Sequence, residues 1–308
     1  MTTISAKVVA DSISADGIRL TTYVLVYPAF FHQDLMTHRM FSRNASSTRA
    51  IPIKTMMKNI RANMAMPIHW GVNKPGMQAS EELTGWKRSA AQFIWRLAGH
   101  TALWLAWGLN QLGAHKQVGN MILWPFMHFT TIVSSTNYAN FFALRNHKDA
   151  RPEIKALAQA MIEARDASTP KVLEPGQWHL PFVTESDYIL AQEDALSKVA
   201  RPKRLDRQAK YYQMIDGMVT ATLAKVSAAR CARVSYLTHD GQQPSIEKDL
   251  LLHDRLVGSS PLHASPTEHQ ATPDVKLAGG KWKHPELHGN FTGYNQYRKS
   301  LQGEYVSE

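Results

Sequence analysis

Cysteine is nearly absent from this 308-residue chain, in which Cys231 is the single thiol. An internal disulfide is therefore excluded, and a lone thiol favours a reducing compartment, so we expect a cytoplasmic protein. Acidic residues are also scarce, with 25 Asp and Glu against 35 Lys and Arg and a formal net charge of +10. This balance favours acidic partners, among them nucleotides, phosphate-bearing cofactors and nucleic acid, without choosing between them.

Apolar runs long enough to cross a membrane are missing from the sequence. The most apolar stretch, residues 97–112, contains His100 and Asn110. It is also shorter than the ~20 residues that a membrane span requires. We therefore expect a buried helix there and no membrane partner. Residues 1–16 lack the basic-then-apolar layout of a signal peptide, and hydrophobic residues make up 44% of the chain, as in ordinary globular enzymes.

Local patterns predict a mixture of strands and helices. Residues 19–27 and 129–133 are rich in β-branched and aromatic residues, which predicts strands. Helical spacing of apolar residues predicts helices over 29–41, 51–64, 81–112, 115–123, 140–145, 152–165, 211–225 and 245–256. A polar loop is expected at 42–49. Residues 166–205 contain four prolines, which predicts a loose connecting segment.

The most informative segment is residues 37–49, THRMFSRNASSTR, which concentrates hydrogen-bond donors at the end of a predicted helix. Guanidinium groups and hydroxyls suit the oxygen atoms of a phosphate, because both donate hydrogen bonds to its lone pairs. Composition alone equally fits a solvated polar loop.

This segment resembles the signature of the flavin-dependent thymidylate synthase family, R-H-R-x-x-S-x-N-E-x-S-x-R-Y. Six residues occupy the matching offsets, namely His38, Arg39, Ser42, Asn44, Ser47 and Arg49. The resemblance implies that His38, Arg39, Ser42 and Asn44 contact FAD and that Ser47 and Arg49 bind the nucleotide. The chain departs from the signature at Thr37, Ala45 and Ala50, where the family has Arg, Glu and Tyr.

A second stretch, NFFALR over residues 140–145 followed by ARPEI over 150–154, resembles the N-F-x-x-L-R and A-Q-x-E-I pattern of the same family. The resemblance implies that Asn140 contacts the flavin and that Arg145 faces the pyrimidine and activates it. The alternative is that Arg145 is a helix-end residue paired with Glu153.

A third pair of matches stands in an unexpected order. Residues 232–236, ARVSY, and 263–269, HASPTEH, resemble family motifs that ordinarily precede the signature, whereas here they follow it. We infer a circular permutation, which is physically reasonable because chain termini often lie close together at a domain surface. The resemblance implies that Ser235, Ser265 and Glu268 help to bind FAD and that His263 lies near the reactive edge of the flavin; by itself, His263 would better fit a core histidine.

The resemblance implies an α/β (α+β) fold with a central mixed or antiparallel sheet, long helices and a permuted chain order. We expect one catalytic domain over residues 1–308. Its parts are a signature-containing region, 1–165, a connecting or inserted segment, 166–222, and a region equivalent to the family's N-terminus with a tail, 223–308. A homo-oligomer, most simply a tetramer, is also implied.

The activity implied is an FAD-dependent methyltransferase that converts dUMP to dTMP, with methylene-tetrahydrofolate and NADPH as co-substrates. One alternative is a hydroxymethylase of dUMP or dCMP, or a methylase of dCMP, that serves DNA base modification. A second is a basic nucleic-acid-binding protein that retains only the fold, although nucleic acid is not the expected partner. The family's Arg before a Leu-Pro pair has no counterpart in 117–125, so either the phosphate is bound differently or another cation meets it.

Other features receive structural interpretations. Cys231 is expected to be a small buried thiol. His284 and His288 stand four residues apart, but Pro285 lies between them and no third ligand is evident, so we expect no metal. The basic run over 198–210 is expected to be a solvated helix face. Gly279 and Gly280 lack the spacing of a phosphate loop and predict a flexible turn.

Overall fold

The computed structural model describes residues 2–75, 81–203, 207–234 and 245–304. Within these ranges the chain forms a central five-stranded sheet in the order β3-β4-β2-β1-β5. The strands are β1 (Ser5–Ser14), β2 (Arg19–Pro28), β3 (Ser42–Ala45), β4 (His128–Ser135) and β5 (Lys171–Leu173). Neighbours are antiparallel except for β1 and β5, which run parallel. The expected mixed α/β fold with a mixed sheet is therefore confirmed.

The hairpin between β1 and β2 follows from local sequence chemistry. Gly17 adopts a positive φ of 77°, which a residue without a Cβ reaches at no steric cost. Its N–H donates to the carbonyl of Ser14 at 2.9 Å, and the N–H of Ser14 donates to the carbonyl of Ile18 at 2.9 Å. The turn sets the register between β1 and β2. The paired residues extend from Ile13 and Arg19, next to the turn, to Ser5 and Val26 at the far end.

Alternate residues of β2 and β4 cover opposite faces of the sheet, as the two-residue period of a strand requires. Tyr23, Leu25 and Val133 belong to the main core. Ile132 faces the other side and packs with Cys231 and Val234. Both faces are therefore covered, and residues 131–135 of β4 are all buried although three of them are polar.

Helices surround the sheet. They are α1 (His32–Met36), α2 (Ile53–Ala62), α3 (Gly85–Gln111), α4 (Lys116–Leu123), α5 (Ala139–Arg145), α6 (Pro152–Asp166), α7 (Glu185–Lys198), α8 (Gln208–Arg233) and α9 (Ile246–Val257). The main core receives side chains from α2, α3, α5 and α6. The second face is covered by α8, and α7 and α9 pack against α8.

The C-terminal region folds back onto the sheet. A 3₁₀ helix, Ser265–Glu268, packs against β3 and α8. It leads into β6 (Ala271–Pro273), which pairs with β7 (Tyr294–Gln296). The hydroxyl of Tyr294 donates to the carbonyl of Ile18 at 3.0 Å and so ties this small sheet to the β1–β2 hairpin. Residues more than two hundred positions apart therefore meet around β3.

Most predicted elements are present, with corrections at four places. The helix expected over 29–41 is a short 3₁₀ turn followed only by α1, and the polar loop expected at 42–49 contains strand β3. The segment 166–205 is not loose, since it contains β5 and the 14-residue helix α7. The basic run over 198–210 spans the end of α7 and the start of α8 instead of forming one helix face.

The expected burial of helix α3 is wrong for much of its apolar surface. Residues 97–112 were predicted to be buried, but Leu97 is 54%, Trp104 67% and Leu112 85% exposed. Apolar spacing alone does not distinguish a helix inside a core from one whose apolar side is uncovered in the single chain. Of the helices in the described ranges, none is both long and apolar enough to span a bilayer.

Candidate functional site

The signature segment is positioned by strand β3, which pairs antiparallel with β4. Ser42 and Asn44 point inward and are 0% and 7% exposed, whereas Arg43 and Ala45, which alternate with them, are half-buried. The Asn44 carboxamide donates to the carbonyl of Cys231 at 2.7 Å, which fixes β3 against α8. The alternation of the strand, which the sequence did not reveal, therefore decides which signature residues are structural.

A contact between His38 and Arg145 joins the first two matched segments. Arg145 Nε donates to His38 Nε2 at 3.0 Å, and one of its terminal nitrogens donates to Thr37 Oγ1 at 3.0 Å. Because His38 Nε2 accepts, its ring is the neutral tautomer with the proton on Nδ1. Burial lowers the pKa of His38, and the positive charges of Arg145 and Arg43 lower it further.

Aromatic packing holds the His38 ring in place. The ring stacks on Phe41, with centroids 5.7 Å apart, and meets the edge of Phe141 at 4.8 Å. Phe41 and Phe141 are both buried in the main core. Two buried aromatic rings therefore pack against the half-buried imidazole, which lies beside the guanidinium of Arg145.

The alternative role for Arg145, an ion pair with Glu153, is wrong. Glu153 instead pairs with Arg151, whose Nε lies 3.0 Å from Glu153 Oε2. The described partners of Arg145 are an imidazole nitrogen, a hydroxyl and the carbonyl of Asp34. A guanidinium with neutral partners keeps its charge uncompensated locally, which suits the binding of an anionic group.

Glu268 lies at the junction between the 3₁₀ helix and the signature strand. Its carboxylate hydrogen-bonds the hydroxyl of Ser42 and forms an ion pair with Arg298. Burial raises the pKa of Glu268, and the Arg298 guanidinium and the Ser42 hydroxyl oppose that rise. Gln296 completes the junction by donating to Ser42 Oγ at 3.1 Å and to the carbonyl of Glu268 at 2.8 Å.

Arg298 and Gln296 were not found by sequence reasoning, because the last forty residues match no motif. The sequence contained only an indirect indication of Arg298, because a carboxylate that is partly removed from water, such as that of Glu268, requires a cation nearby. Ser42, Asn44 and Glu268 thus lie together, as expected of residues in one site. Their side chains, however, are already engaged with other protein groups.

The remaining predicted residues divide by exposure. Ser47 and Ser265 are half-buried, and the exposed ones are Arg39, Arg49, Asn140 and His263. The core role considered for His263 is therefore wrong. Ser235 lies outside the described residues, so its predicted role is not located. Arg39 follows His38 and Asn140 precedes Phe141, so each of these two exposed residues is the sequence neighbour of one ring in the His38–Phe141 contact.

The loop after β3 is held by residues that follow it by about seventy positions. Asn120 donates to the carbonyls of Thr48 and Ile51 at 2.8 and 3.0 Å, and Lys116 Nζ donates to the carbonyl of Ala50 at 3.0 Å. Both belong to α4; Asn120 lies within the segment 117–125, where the family's arginine has no counterpart, and Lys116 directly precedes it. Lys116 therefore places an ammonium group against the loop that carries Ser47 and Arg49.

A chain of hydrogen bonds crosses the sheet beneath this region. His179 bonds Ser12 Oγ at 2.8 Å and Thr22 Oγ1 at 2.7 Å, Thr22 bonds Ser134 Oγ at 2.6 Å, and Ser134 bonds His269 Nδ1 at 2.8 Å. Both histidines are buried, and burial lowers the pKa of each to about 3. They are therefore neutral structural groups that the sequence did not single out.

Two further expectations concern Cys231 and the histidines at 284 and 288. Cys231 is fully buried, which confirms its expected role, and burial raises the pKa of its thiol. His288 Nε2 bonds Asp274 Oδ2 at 2.9 Å, and His284 lies 3.5 Å from Glu286. Across the residues that the structure describes, no group of three or more His, Cys, Asp or Glu side chains could hold a metal ion.

Comparison with known proteins gives one family and several solved structures. Residues 17–171 match the family described as thymidylate synthase complementing protein. That stretch contains the signature and Asn140–Arg145 but not the motifs near residues 232 and 263. The chain matches none of the curated proteins.

Similar solved structures include a UMP/dUMP methylase, PolB from Streptomyces cacaoi, bound with 5-Br UMP. The two sequences are 17% identical and the TM-score is 0.46. The aligned region covers 54% of this chain and 89% of the methylase. For the same methylase bound with 5-Br dUMP, the identity is 16% and the TM-score is 0.45. The aligned region covers 54% of this chain and 90% of the methylase.

Proposed function

This chain belongs to the thymidylate synthase complementing protein family, and from that premise we propose that it transfers a one-carbon unit from methylene-tetrahydrofolate to C5 of a pyrimidine deoxynucleotide. The simplest reaction is dUMP to dTMP. The observation that carries the proposal is the contact of Arg145 with His38, which unites two separate family motifs around one uncompensated guanidinium.

In this proposal Arg145 stabilises the negative charge that develops on a pyrimidine carbonyl. A fixed donor aimed at developing charge is among the strongest contributions to catalysis, since it needs no reorganisation during the reaction. Neutral His38 keeps Arg145 in position by accepting its Nε–H. Ser47 and Arg49 bind the nucleotide, and Lys116 supplies the cation for its phosphate.

FAD is the proposed cofactor, and the donor chemistry of the region fits it. Arg39 and Asn140 are exposed, carry N–H groups and are sequence neighbours of the contacting rings of His38 and Phe141, and Ser265 lies on the 3₁₀ helix that packs against β3. Such donors suit the oxygens of a pyrophosphate. When bound, FAD would carry the hydride that NADPH supplies, while the side chains provide binding and orientation.

His263 is proposed to lie at the reactive edge of the flavin, and Ser265 and Glu268 to help hold it. The packing of Ser265–Glu268 on β3 supports this role, because it joins the late motif to the signature strand. The same packing supports the circular permutation, in which all of residues 1–308 form one catalytic domain. Glu268 acts indirectly in this proposal, because its carboxylate engages Ser42 and Arg298 and so orients the edge of the signature strand.

Product analysis tests the proposed reaction. The purified protein, supplied with FAD, NADPH and methylene-tetrahydrofolate, is incubated with dUMP or dCMP, and the products are identified by mass spectrometry. We expect dTMP from dUMP. A hydroxymethyl product, or turnover of dCMP, supports the base-modification alternative instead. If neither nucleotide gains a substituent at C5, both reactions are refuted.

We also propose that copies of the chain associate through α3. Trp86, Phe93, Leu97 and Trp104 lie along this 27-residue helix and are each more than half exposed. Their spacing of seven, four and seven residues follows a coiled-coil seam, and so large an apolar surface is rarely left in water. A second copy presenting the same seam covers it symmetrically, as in most homo-oligomers.

Leu97→Glu is therefore expected to reduce the oligomer to a smaller species, because a carboxylate at the centre of an apolar seam cannot be desolvated cheaply. Light scattering after size exclusion measures the mass. Lys87→Glu, another acidic substitution on the same helix, should leave the assembly intact. A wild-type protein that runs as a monomer at micromolar concentration would refute the proposal.

A further inference from the structure

A cavity of about 480 Å³ lies between α8, the loop that precedes α7 and the 3₁₀ helix Tyr297–Ser300. Every residue that lines it lies within 176–178, 213–224 or 297–300, outside the stretch 17–171 that matches the family. Its volume falls in the range of small-molecule sites, ~300–1,000 Å³. The cavity therefore has the size of a ligand site and is built from segments that the family match does not cover.

Gly217 lies on the floor of this cavity, in the interior of the 26-residue helix α8. Apart from proline, glycine is the least favourable residue in a helix interior. Packing does not require it here, because a Cβ built on Gly217 would meet no atom within 4 Å, and its φ is not in the left-handed region. Ala221 and Ala224 continue the floor. Small side chains therefore leave the backbone of α8 open to a ligand, as glycine does where a ligand approaches a backbone closely.

Two aromatic rings form walls of the cavity. Trp178 and Tyr297 both line it and are half-buried, with ring centroids 6.0 Å apart and ring planes at 79° to each other. The face of an aromatic ring is negative and attracts a cation. Aromatic rings set at an angle around a pocket are the usual binding site for an alkylated ammonium group.

Hydrogen bonds hold both walls in place. The hydroxyl of Tyr297 donates to His253 Nε2 at 3.1 Å, and His253 Nδ1 donates to Asp254 Oδ1 at 3.0 Å. Burial raises the pKa of Tyr297 to about 12 and lowers the pKa of His253, so both groups are neutral at pH 7. Next to Trp178, the N–H of His179 donates to a carbonyl of β6 at 2.8 Å. The hydroxyl of Tyr297 is therefore engaged, and its ring is what it offers to a ligand.

The charge of the cavity is negative. Asp216 lines it, and the lining contains no Lys, Arg or His. Asp216 takes part in none of the ion pairs found among the described residues. The cations that adjoin the lining along the chain are already paired, Lys225 with Asp254 and Arg298 with Glu268. In a chain with a net charge of +10, a cavity that offers one carboxylate and no cation favours a positively charged ligand.

We propose that this cavity binds a small organic cation that carries an alkylated ammonium group. The ammonium group lies against Trp178 and Tyr297 and pairs with Asp216, and the rest of the molecule lies on Gly217 and Ala221. A primary ammonium would bring three N–H donors, for which this largely apolar lining offers few acceptors. Such a ligand is not a reactant of the proposed reaction, so the inference does not depend on the proposed function.

Calorimetric titration of the full-length protein with choline tests the site without requiring turnover. We expect choline to bind at millimolar concentration or below. Dimethylbutanol, in which a tert-butyl group replaces the trimethylammonium group, has the same shape without the charge and should bind roughly tenfold more weakly or less. Ethanolamine, the primary amine that corresponds to choline, should also bind more weakly than choline.

Two substitutions test the lining. Asp216→Asn should weaken choline binding roughly fivefold or more, because the ammonium loses its counter-charge. Gly217→Leu should abolish binding, because the new side chain occupies the cavity. Leucine favours a helix more than glycine does, so this variant should melt at the wild-type temperature or above. Glu193→Gln is the matched control, since it removes one acidic charge from an exposed position of α7 outside the lining.

The control should bind choline like the wild type. The proposal is overturned if choline fails to bind at millimolar concentration, or if its uncharged isostere binds equally well. Wild-type affinity in Asp216→Asn, or in folded Gly217→Leu, would equally contradict it. Tighter binding of ethanolamine than of choline would refute the assignment to an alkylated ammonium group.

Discussion

Replacing Arg145 by alanine is expected to lower nucleotide turnover by at least ~100-fold while the flavin stays bound. Loss of one preorganised donor to a developing negative charge costs about 3 kcal/mol in enzymes of other classes. Arg145 is half-buried and its described contacts are neutral, so its charge is available to a ligand. Steady-state kinetics with dUMP, together with the visible absorption of the flavin, measures both parts of the prediction.

Two further variants sharpen this test. Lys148→Ala removes an exposed cation three residues beyond Arg145 and should leave turnover unchanged. Arg145→Lys keeps the charge but loses the planar fork that bonds His38 and Thr37 together, so only partial activity is expected. Turnover by Arg145→Ala equal to that of the wild type would refute the assigned role. A flavin lost along with activity would indicate a structural role instead.

Acidification is expected to destabilise the protein strongly because His179 and His269 are buried and neutral. Their pKa values are lowered by burial to about 3, against ~6.5 in an unfolded chain. The stability that depends on the neutral imidazoles is therefore complete above pH 6.5 and is lost as the pH falls from 6.5 toward 3. From pH 7 to pH 5 this pair alone should cost roughly 3–4 kcal/mol of the free energy of unfolding.

Urea unfolding at pH 7 and pH 5 measures the loss. His269→Gln removes one of the two groups, so the difference between the two pH values should shrink by roughly 2 kcal/mol even if the variant is less stable at both. His32 and His128, whose pKa values burial lowers to about 4, add to the dependence in both proteins. An unchanged difference in the variant would contradict the assignment to this hydrogen-bonded pair.

Much of the fold could be predicted from local patterns. Strand β2 and helices α2, α4 and α6 were predicted because their apolar residues repeat with a clear period and their ends carry Pro or polar residues. Strand β3 was missed because it has four residues and most of them are polar. Its inward positions, Ser42 and Asn44, are buried through hydrogen bonds to distant residues, which no local pattern encodes.

The site was predictable only where a motif existed. His38 and Arg145 were identified by resemblance, and the structure joins them. Arg298 and His179 were not, because a single residue that serves a buried group has no periodicity and no fixed spacing. For helix α3, the apolar pattern predicts the helix itself. The pattern does not tell whether a core or a second subunit covers the apolar side, because that depends on contacts between distant residues or between chains.

We propose that the signature and the late motif, which are more than two hundred residues apart, build one flavin site. FAD affinity, followed by fluorescence quenching, is therefore compared for the wild type, Arg39→Ala and Ser265→Ala. Ser197→Ala, which removes an exposed hydroxyl from α7, is the control. We predict that the first two substitutions each weaken FAD about tenfold or more, and dUMP less. If Ser265→Ala binds FAD as tightly as the control, the two segments do not share a flavin and the account is wrong.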